Sequence, residues 1–253
     1  MIKAKSLAAL ILFQIMFSSI IAAQDNTQKP TPEQIEAWKK ADMERLQNDW
    51  ANLARFREDN EKIATAVPNE NRIVFMGNSI TEGWSQADPA FFAGKPYINR
   101  GISGQTTPQM LIRFRSDVIN LKPAVVVILA GINDIAGNTG PSTLEMIEGN
   151  LASMVELARA NGIRVVLSSV LPAYDFPWRP GLQPAEKVVK LNYWIKAFAE
   201  NQGCIYLDYF TPMADEKHAL RAEYTYDGVH PNLTGYRIME PLVEEAIQKA
   251  LVP

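Results

Sequence analysis

From Arg72 onward the chain alternates short apolar runs with longer amphipathic stretches. Ile73-Val74-Phe75-Met76 ends at Gly77, and Tyr97-Ile98-Asn99, Ala124 to Ala130, Arg164 to Val170 and Cys204 to Leu207 follow as further short runs. All five read as strands. The third, AVVVILA, is a continuous β-branched run, which fits a strand covered on both faces. Helical periodicity occupies about 107–119, 143–161, 185–201 and 234–250, and Asn161-Gly162 makes a helix stop before the fourth strand. Strand and helix alternating through 72–250 predict a parallel sheet with helices on both faces, one doubly wound α/β domain. In such sheets functional residues gather at the carboxyl ends of strands.

Upstream the pattern differs. Glu33 to Ala66 predicts one helical region, capped by Thr31 with Pro32 in its first turn. Ile35, Trp38, Leu46, Trp50, Leu53, Phe56 and Ile63 place an apolar stripe on it. That stripe is expected to pack on the main domain; the alternative is a dimerisation helix. Residues 24–32 form a polar tether with two prolines. Residues 1–23 read as a secretory signal, with Lys3 and Lys5 ahead of an apolar stretch and Ala22-Ala23 at its end. The stretch is short for a membrane span, which needs about 20 apolar residues. The expected layout is therefore 1–23 signal, 24–68 linker and helical extension, 69–253 main domain, and an exported product, periplasmic or extracellular.

Composition narrows the chemistry. The chain has 253 residues, 47% hydrophobic and 21% charged, with a formal charge of −3. No basic run suggests a nucleic-acid partner. The single cysteine, Cys204, is expected in the core; it excludes an intramolecular disulfide and every CxxC motif. Only His218 and His230 can supply imidazole. His218, in Asp215-Glu216-Lys217-His218, is expected on a solvated loop, with a weak metal contact as the alternative. Asn232-Leu233-Thr234 is a glycosylation sequon, relevant in a eukaryote.

The strand ends carry the candidate chemistry. Gly77-Asn78-Ser79 follows the first strand, Gly101-Ile102-Ser103-Gly104 the second, and Gly131-Ile132-Asn133-Asp134 the third; Asp227-Gly228-Val229-His230 lies near the C-terminus. A serine becomes a nucleophile when a histidine takes its proton and an acid orients that histidine. Ser79 on a strand-to-helix turn, His230 as base and Asp227 as its partner satisfy that requirement. The Ser79 amide, Gly104 amide and Asn133 side-chain amide are candidate donors to an oxyanion. Singly each has a plainer reading: a capping serine, a turn glycine, a turn Asn-Asp, a loop histidine. Thr81 in place of a second glycine argues against the Gly-x-Ser-x-Gly elbow.

Together, and in this order, the four segments resemble the sequence blocks of the SGNH hydrolases, also called the GDSL esterase/lipase family. They are most similar to its small bacterial acylhydrolase branch, related to acetylhydrolases. The resemblance covers about 72–250. It implies a flavodoxin-like three-layer α/β/α sandwich with strand order 2-1-3-4-5. It implies Ser79, His230 and Asp227 as triad, Ser79, Gly104 and Asn133 as oxyanion hole, and no metal or cofactor. The family usually has Asp before the serine; Asn78 keeps the size and a carbonyl acceptor but loses the charge.

The segment 172–184 (PAYDFPWRPGLQP) is the expected substrate wall, through Tyr174, Phe176, Trp178 and an anion-facing Arg179; a packed loop is the alternative. Asn78, Glu82 and Trp84 are expected to line the pocket. The expected function is a secreted serine esterase acting on short acyl esters such as O-acetyl groups on glycans. Alternatives are a lysophospholipase-type lipase, an acyltransferase, or a non-catalytic glycan-binding module on the same fold.

Overall fold

The computed structural model describes residues 31–65 and 71–252; the secretory signal expected at 1–23 lies outside them. The secondary structure runs α1 (Pro32–Asn48), α2 (Arg57–Thr65), β1 (Ile73–Gly77), α3 (Ser79–Ala87), α4 (Pro89–Phe92), β2 (Tyr97–Gly101), α5 (Thr107–Asp117), β3 (Val125–Leu129), α6 (Ile132–Ile135), α7 (Leu144–Ala160), β4 (Arg164–Ser168), α8 (Ala185–Asn201), β5 (Ile205–Leu207), α9 (Phe210–Met213) and α10 (Leu233–Leu251). The strands form one sheet in the order β2-β1-β3-β4-β5. All neighbours pair in parallel.

Strand periodicity of two divides the core into two layers. Val74, Met76, Val126, Ile128, Val165 and Leu167 face Met110 and Phe114 of α5, Leu151 and Val155 of α7, and Leu191 and Ile195 of α8. Ile73, Phe75, Val125, Val127 and Val166 face Trp84 of α3 and Met239, Val243 and Ile247 of α10. Both faces of the sheet are covered, which is why its strands read as unbroken apolar runs.

The N-terminal region departs from expectation in two ways. It is not one helix. Thr31 and Gln34 form the expected capping box at the start of α1, but the helix stops at Asn48. The Asp49 carboxylate then accepts the backbone N–H groups of Leu53 and Ala54, both at 2.8 Å, closing a turn instead of continuing the helix. Nor does the whole stripe reach the domain: Trp38, Trp50 and Leu53 stay exposed. The contacts come from the turn and α2, where Ala51 is buried and Ile63 packs against the core. Cys204 precedes β5 and is half-buried, a rim residue rather than a core one.

Candidate active site

β1 delivers Ser79. The strand ends at Gly77, and the Asn78 side chain caps α3 by accepting the Ile80 N–H at 3.0 Å. Ser79 is thereby the first residue of a nine-residue helix, with its hydroxyl at the positive end of the helix dipole. β2 comes close to the same helix: a Cβ on Gly101 would lie 2.1 Å from the Glu82 backbone nitrogen, so only glycine lets the end of β2 pack against the first turn of α3. The following turn places Gly104 at φ +75°, a conformation glycine adopts without strain.

The loop before α10 delivers His230. Asp227 Oδ1 accepts the N–H groups of Val229 (2.9 Å) and His230 (2.7 Å). Its Oδ2 lies 2.7 Å from His230 Nδ1. Thr225 Oγ1 donates to the His230 carbonyl at 2.6 Å and accepts the Gly228 N–H at 3.0 Å, so the loop is braced across its width. His230 Nε2 then stands 2.9 Å from Ser79 Oγ, with both residues buried. Burial alone would raise the Asp227 carboxyl; the hydrogen bonds from the His230 ring and the two backbone amides outweigh it and hold Asp227 below its ordinary range.

Asn133 follows β3 in the short α6 and donates from Nδ2 to the Gln105 carbonyl at 2.9 Å. That bond joins the asparagine segment to the glycine segment. Asn133 has two N–H donors, and Gln105 uses one. The neighbouring Asp134 accepts Thr107 N at 3.0 Å with each carboxylate oxygen and Thr107 Oγ1 at 2.6 Å. Burial pushes its carboxyl up to about 6 against the opposing effect of those hydrogen bonds. A raised carboxyl binds its proton more tightly folded than unfolded. Its stabilising contribution is therefore fully present below the unfolded value of 3.8 and is lost as pH rises through about 6. Asp134→Asn removes that titration. The expected result is a wild-type melting temperature that falls relative to the variant between pH 4 and 7; parallel pH profiles for the two proteins would contradict it.

Several expected pocket residues lie elsewhere. Trp84 is not a pocket wall: it is buried, stacked between Phe91 at 4.9 Å and Tyr236 at 5.4 Å. Asn78 is fully buried as a helix cap, and its Nδ2 has no partner among the described residues. A buried orphan donor costs about 1–3 kcal/mol, which an acceptor-only aspartate would avoid at the cost of burying charge. Glu82 points to the neighbouring loop, accepting Ser103 N at 2.7 Å and Ser103 Oγ at 2.5 Å, and meets Arg55 at 3.2 Å. Arg179 is turned inward, donating to the carbonyls of Ala136 and Gly137, so it faces no anion. Tyr174 is exposed. Trp178 does reach the site, with its ring 5.9 Å from that of His230.

One flanking residue escaped the sequence reading. Tyr226 stacks on the His230 ring at 5.8 Å and 11° and is 56% exposed. Its position beside Asp227 was the available signal. The Asn232 side chain accepts the Gly235 N–H at 3.0 Å and donates to the Glu223 carbonyl at 3.0 Å, so the sequon amide serves as a helix cap. Among the described residues no group of three or more His, Cys, Asp or Glu could hold a metal ion.

The chain is similar to several known proteins. A GDSL-like lipase of solved structure from Bacteroides thetaiotaomicron is 52% identical, with a TM-score of 0.78 over 80% of this chain and 100% of that one. Esterase TesA of Pseudomonas aeruginosa is 29% identical over 194 residues, 70% of this chain and 82% of TesA. The lipoprotein YqeF of Bacillus subtilis is 35% identical over 81 residues; the match spans 31% of this chain and only 33% of YqeF. Residues 75–238 match the GDSL-like Lipase/Acylhydrolase family, well over half of the chain, and the chain therefore belongs to that family of ester hydrolases.

Proposed function

We propose that Ser79, His230 and Asp227 form the triad of an exported esterase that removes short acyl groups, such as O-acetyl groups on glycans. The supporting observation is the line of contacts from Ser79 Oγ to His230 Nε2 (2.9 Å) and from His230 Nδ1 to Asp227 Oδ2 (2.7 Å). Ser79 Oγ attacks the ester carbonyl carbon while its proton passes to His230 Nε2. The oxyanion accepts from the Ser79 and Gly104 amides and the uncommitted N–H of Asn133. Collapse breaks the ester C–O bond, and the leaving alcohol takes the proton from Nε2. Water then repeats the attack on the acyl-enzyme and releases the acid. Asp227 holds Nδ1–H throughout and stays ionised.

The exposed aromatic ring beside His230 favours a sugar on the alcohol side. Tyr226 presents an exposed face, and the buried Trp178 ring lies against His230 from within the protein. Flat apolar faces with a polar rim suit the C–H faces of pyranose rings. Export rests on residues 1–23, and no helix among the described residues is long and apolar enough to cross a membrane.

The test is turnover of nitrophenyl esters of graded chain length, alongside an acetylated oligosaccharide. Acetyl esters are expected to exceed octanoyl esters by at least about tenfold in kcat/KM, a 1.4 kcal/mol preference. A preference for octanoyl would transfer the assignment to a lipase. Glycan binding without turnover would leave only a binding module.

A further inference from the structure

The buried face of α5 carries charge. Met110, Arg113, Phe114 and Asp117 recur on it, and Arg113 and Asp117 are paired at 3.0 Å with almost no exposure. A buried ion pair is costly to desolvate and is weak evidence of stabilisation. The other contacts of Arg113 show what the pair accomplishes. Its Nη2 donates to the Gly77 carbonyl at 3.0 Å and the Arg100 carbonyl at 2.9 Å, at the ends of β1 and β2. Its Nε donates to Gln105 Oε1 at 2.5 Å. The backbone carbonyl of Gln105 in turn accepts Asn133 Nδ2. One guanidinium thus links the chain two residues before Ser79, the end of β2, and the residue after Gly104; through Gln105 the link extends to Asn133.

The N-terminal extension closes this network from behind. Gln105 Nε2 donates to the Ala51 carbonyl at 2.7 Å. Asn60 Nδ2 donates to Asp117 Oδ1 at 2.7 Å, and Asn60 Oδ1 accepts Arg100 Nε at 3.1 Å and Nη2 at 2.8 Å. Ala51 and Asn60 both lie outside the residues that match the family.

We propose that Arg113 and Gln105, backed by Ala51 and Asn60 of the extension, are positioning residues that set the spacing of Ser79, Gly104 and Asn133. The proposal rests on the ester-hydrolase reading above and deepens it. Donors to an oxyanion act only if held within a few tenths of an ångström of where the charge develops. A planar guanidinium with five fixed donors can tie several acceptors at once; a lysine ammonium, a single point, cannot span them.

The experiment uses the full-length protein and the variants Gln105→Ala, Asn60→Ala and Arg113→Lys on nitrophenyl acetate. It reads kcat and KM separately, well below each melting temperature. It also reads Ki for a trifluoromethyl ketone, which forms a tetrahedral adduct with a serine nucleophile. Gln105→Ala is expected to lower kcat about 10- to 100-fold with KM within about twofold. Ki is expected to rise by the same factor, because the adduct depends on the oxyanion donors as the transition state does. Asn60→Ala moves both in the same direction by less. Folded Gln105→Ala and Asn60→Ala proteins with wild-type kcat, or a fallen kcat with an unmoved Ki, would overturn the proposal; these two variants decide it even if Arg113→Lys does not fold. Ser79→Ala runs in parallel. If it retains turnover, the Ser79 reading itself has failed; if it is inactive while the others match wild type, only the positioning role has.

Discussion

Ser79→Ala is expected to lower kcat on nitrophenyl acetate about 10,000- to 1,000,000-fold and to abolish labelling by a fluorophosphonate probe. The loss is large because the substitution removes the atom that becomes covalently bonded. Alanine cannot form the acyl-enzyme, so only direct attack by water is left. Folding should be little affected. Asn78, not Ser79, supplies the cap that accepts the Ile80 N–H, and Ser79 fills a helix position that alanine favours. A melting temperature near wild type with turnover lost is therefore the expected pair of results. Turnover equal to wild type would refute Ser79 as nucleophile. Steady-state kinetics and mass spectrometry of the labelled protein check both parts.

The second large effect contrasts the two histidines. His230→Ala is expected to cost as much as Ser79→Ala, because a serine without a base is not activated. The double variant should be no slower than either single one, since the two residues act as a unit. His218→Ala should leave kcat/KM unchanged. His218 sits exposed in a turn at φ +59°, its backbone N–H donating to the Asp215 carbonyl and its ring 5.8 Å from Phe210, with no link to Ser79. Equal losses in the two variants would contradict the assignment of His230 as base. Asp227→Asn is expected to fall between, at about 10,000-fold, because the amide turns the imidazole tautomer the wrong way. The depressed Asp227 carboxyl also contributes stability, present above the ordinary value of 3.8 and lost as pH falls through its lower folded value. Asp227→Asn should therefore flatten the acid limb of the thermal-stability profile.

Much of the architecture was legible along the chain. Continuous β-branched runs can only be strands covered on both sides, and the helical repeats between them place a crossover on each. The four strand-end segments stood out because Ser, Gly, Asn and Asp-x-x-His occurred where a parallel sheet exposes its loops. Their identity as one site came from resemblance. The Ser79–His230 contact spans 151 residues, a separation no local pattern reports.

The misplaced residues share one cause. Periodicity states which face of an element a residue occupies, not what the fold sets opposite that face. Trp84, Asn78 and Glu82 all lie within seven residues of the end of β1, yet one fills the core, one caps a helix and one grips a neighbouring loop. Arg179 looked free because no local residue could satisfy it; its acceptors are carbonyls more than 40 residues away. Arg113 and Asp117 did leave a trace, a charged pair four apart on an apolar face, but its meaning depended on Gly77, Arg100 and Gln105 converging there. The sequence by itself determined the elements, their alternation and the residue types able to do the chemistry, because those follow from local sterics and from the burial of apolar side chains. Tertiary structure alone decided which polar groups face the substrate and which hold the frame behind it, because hydrogen-bond partners are chosen by proximity in space.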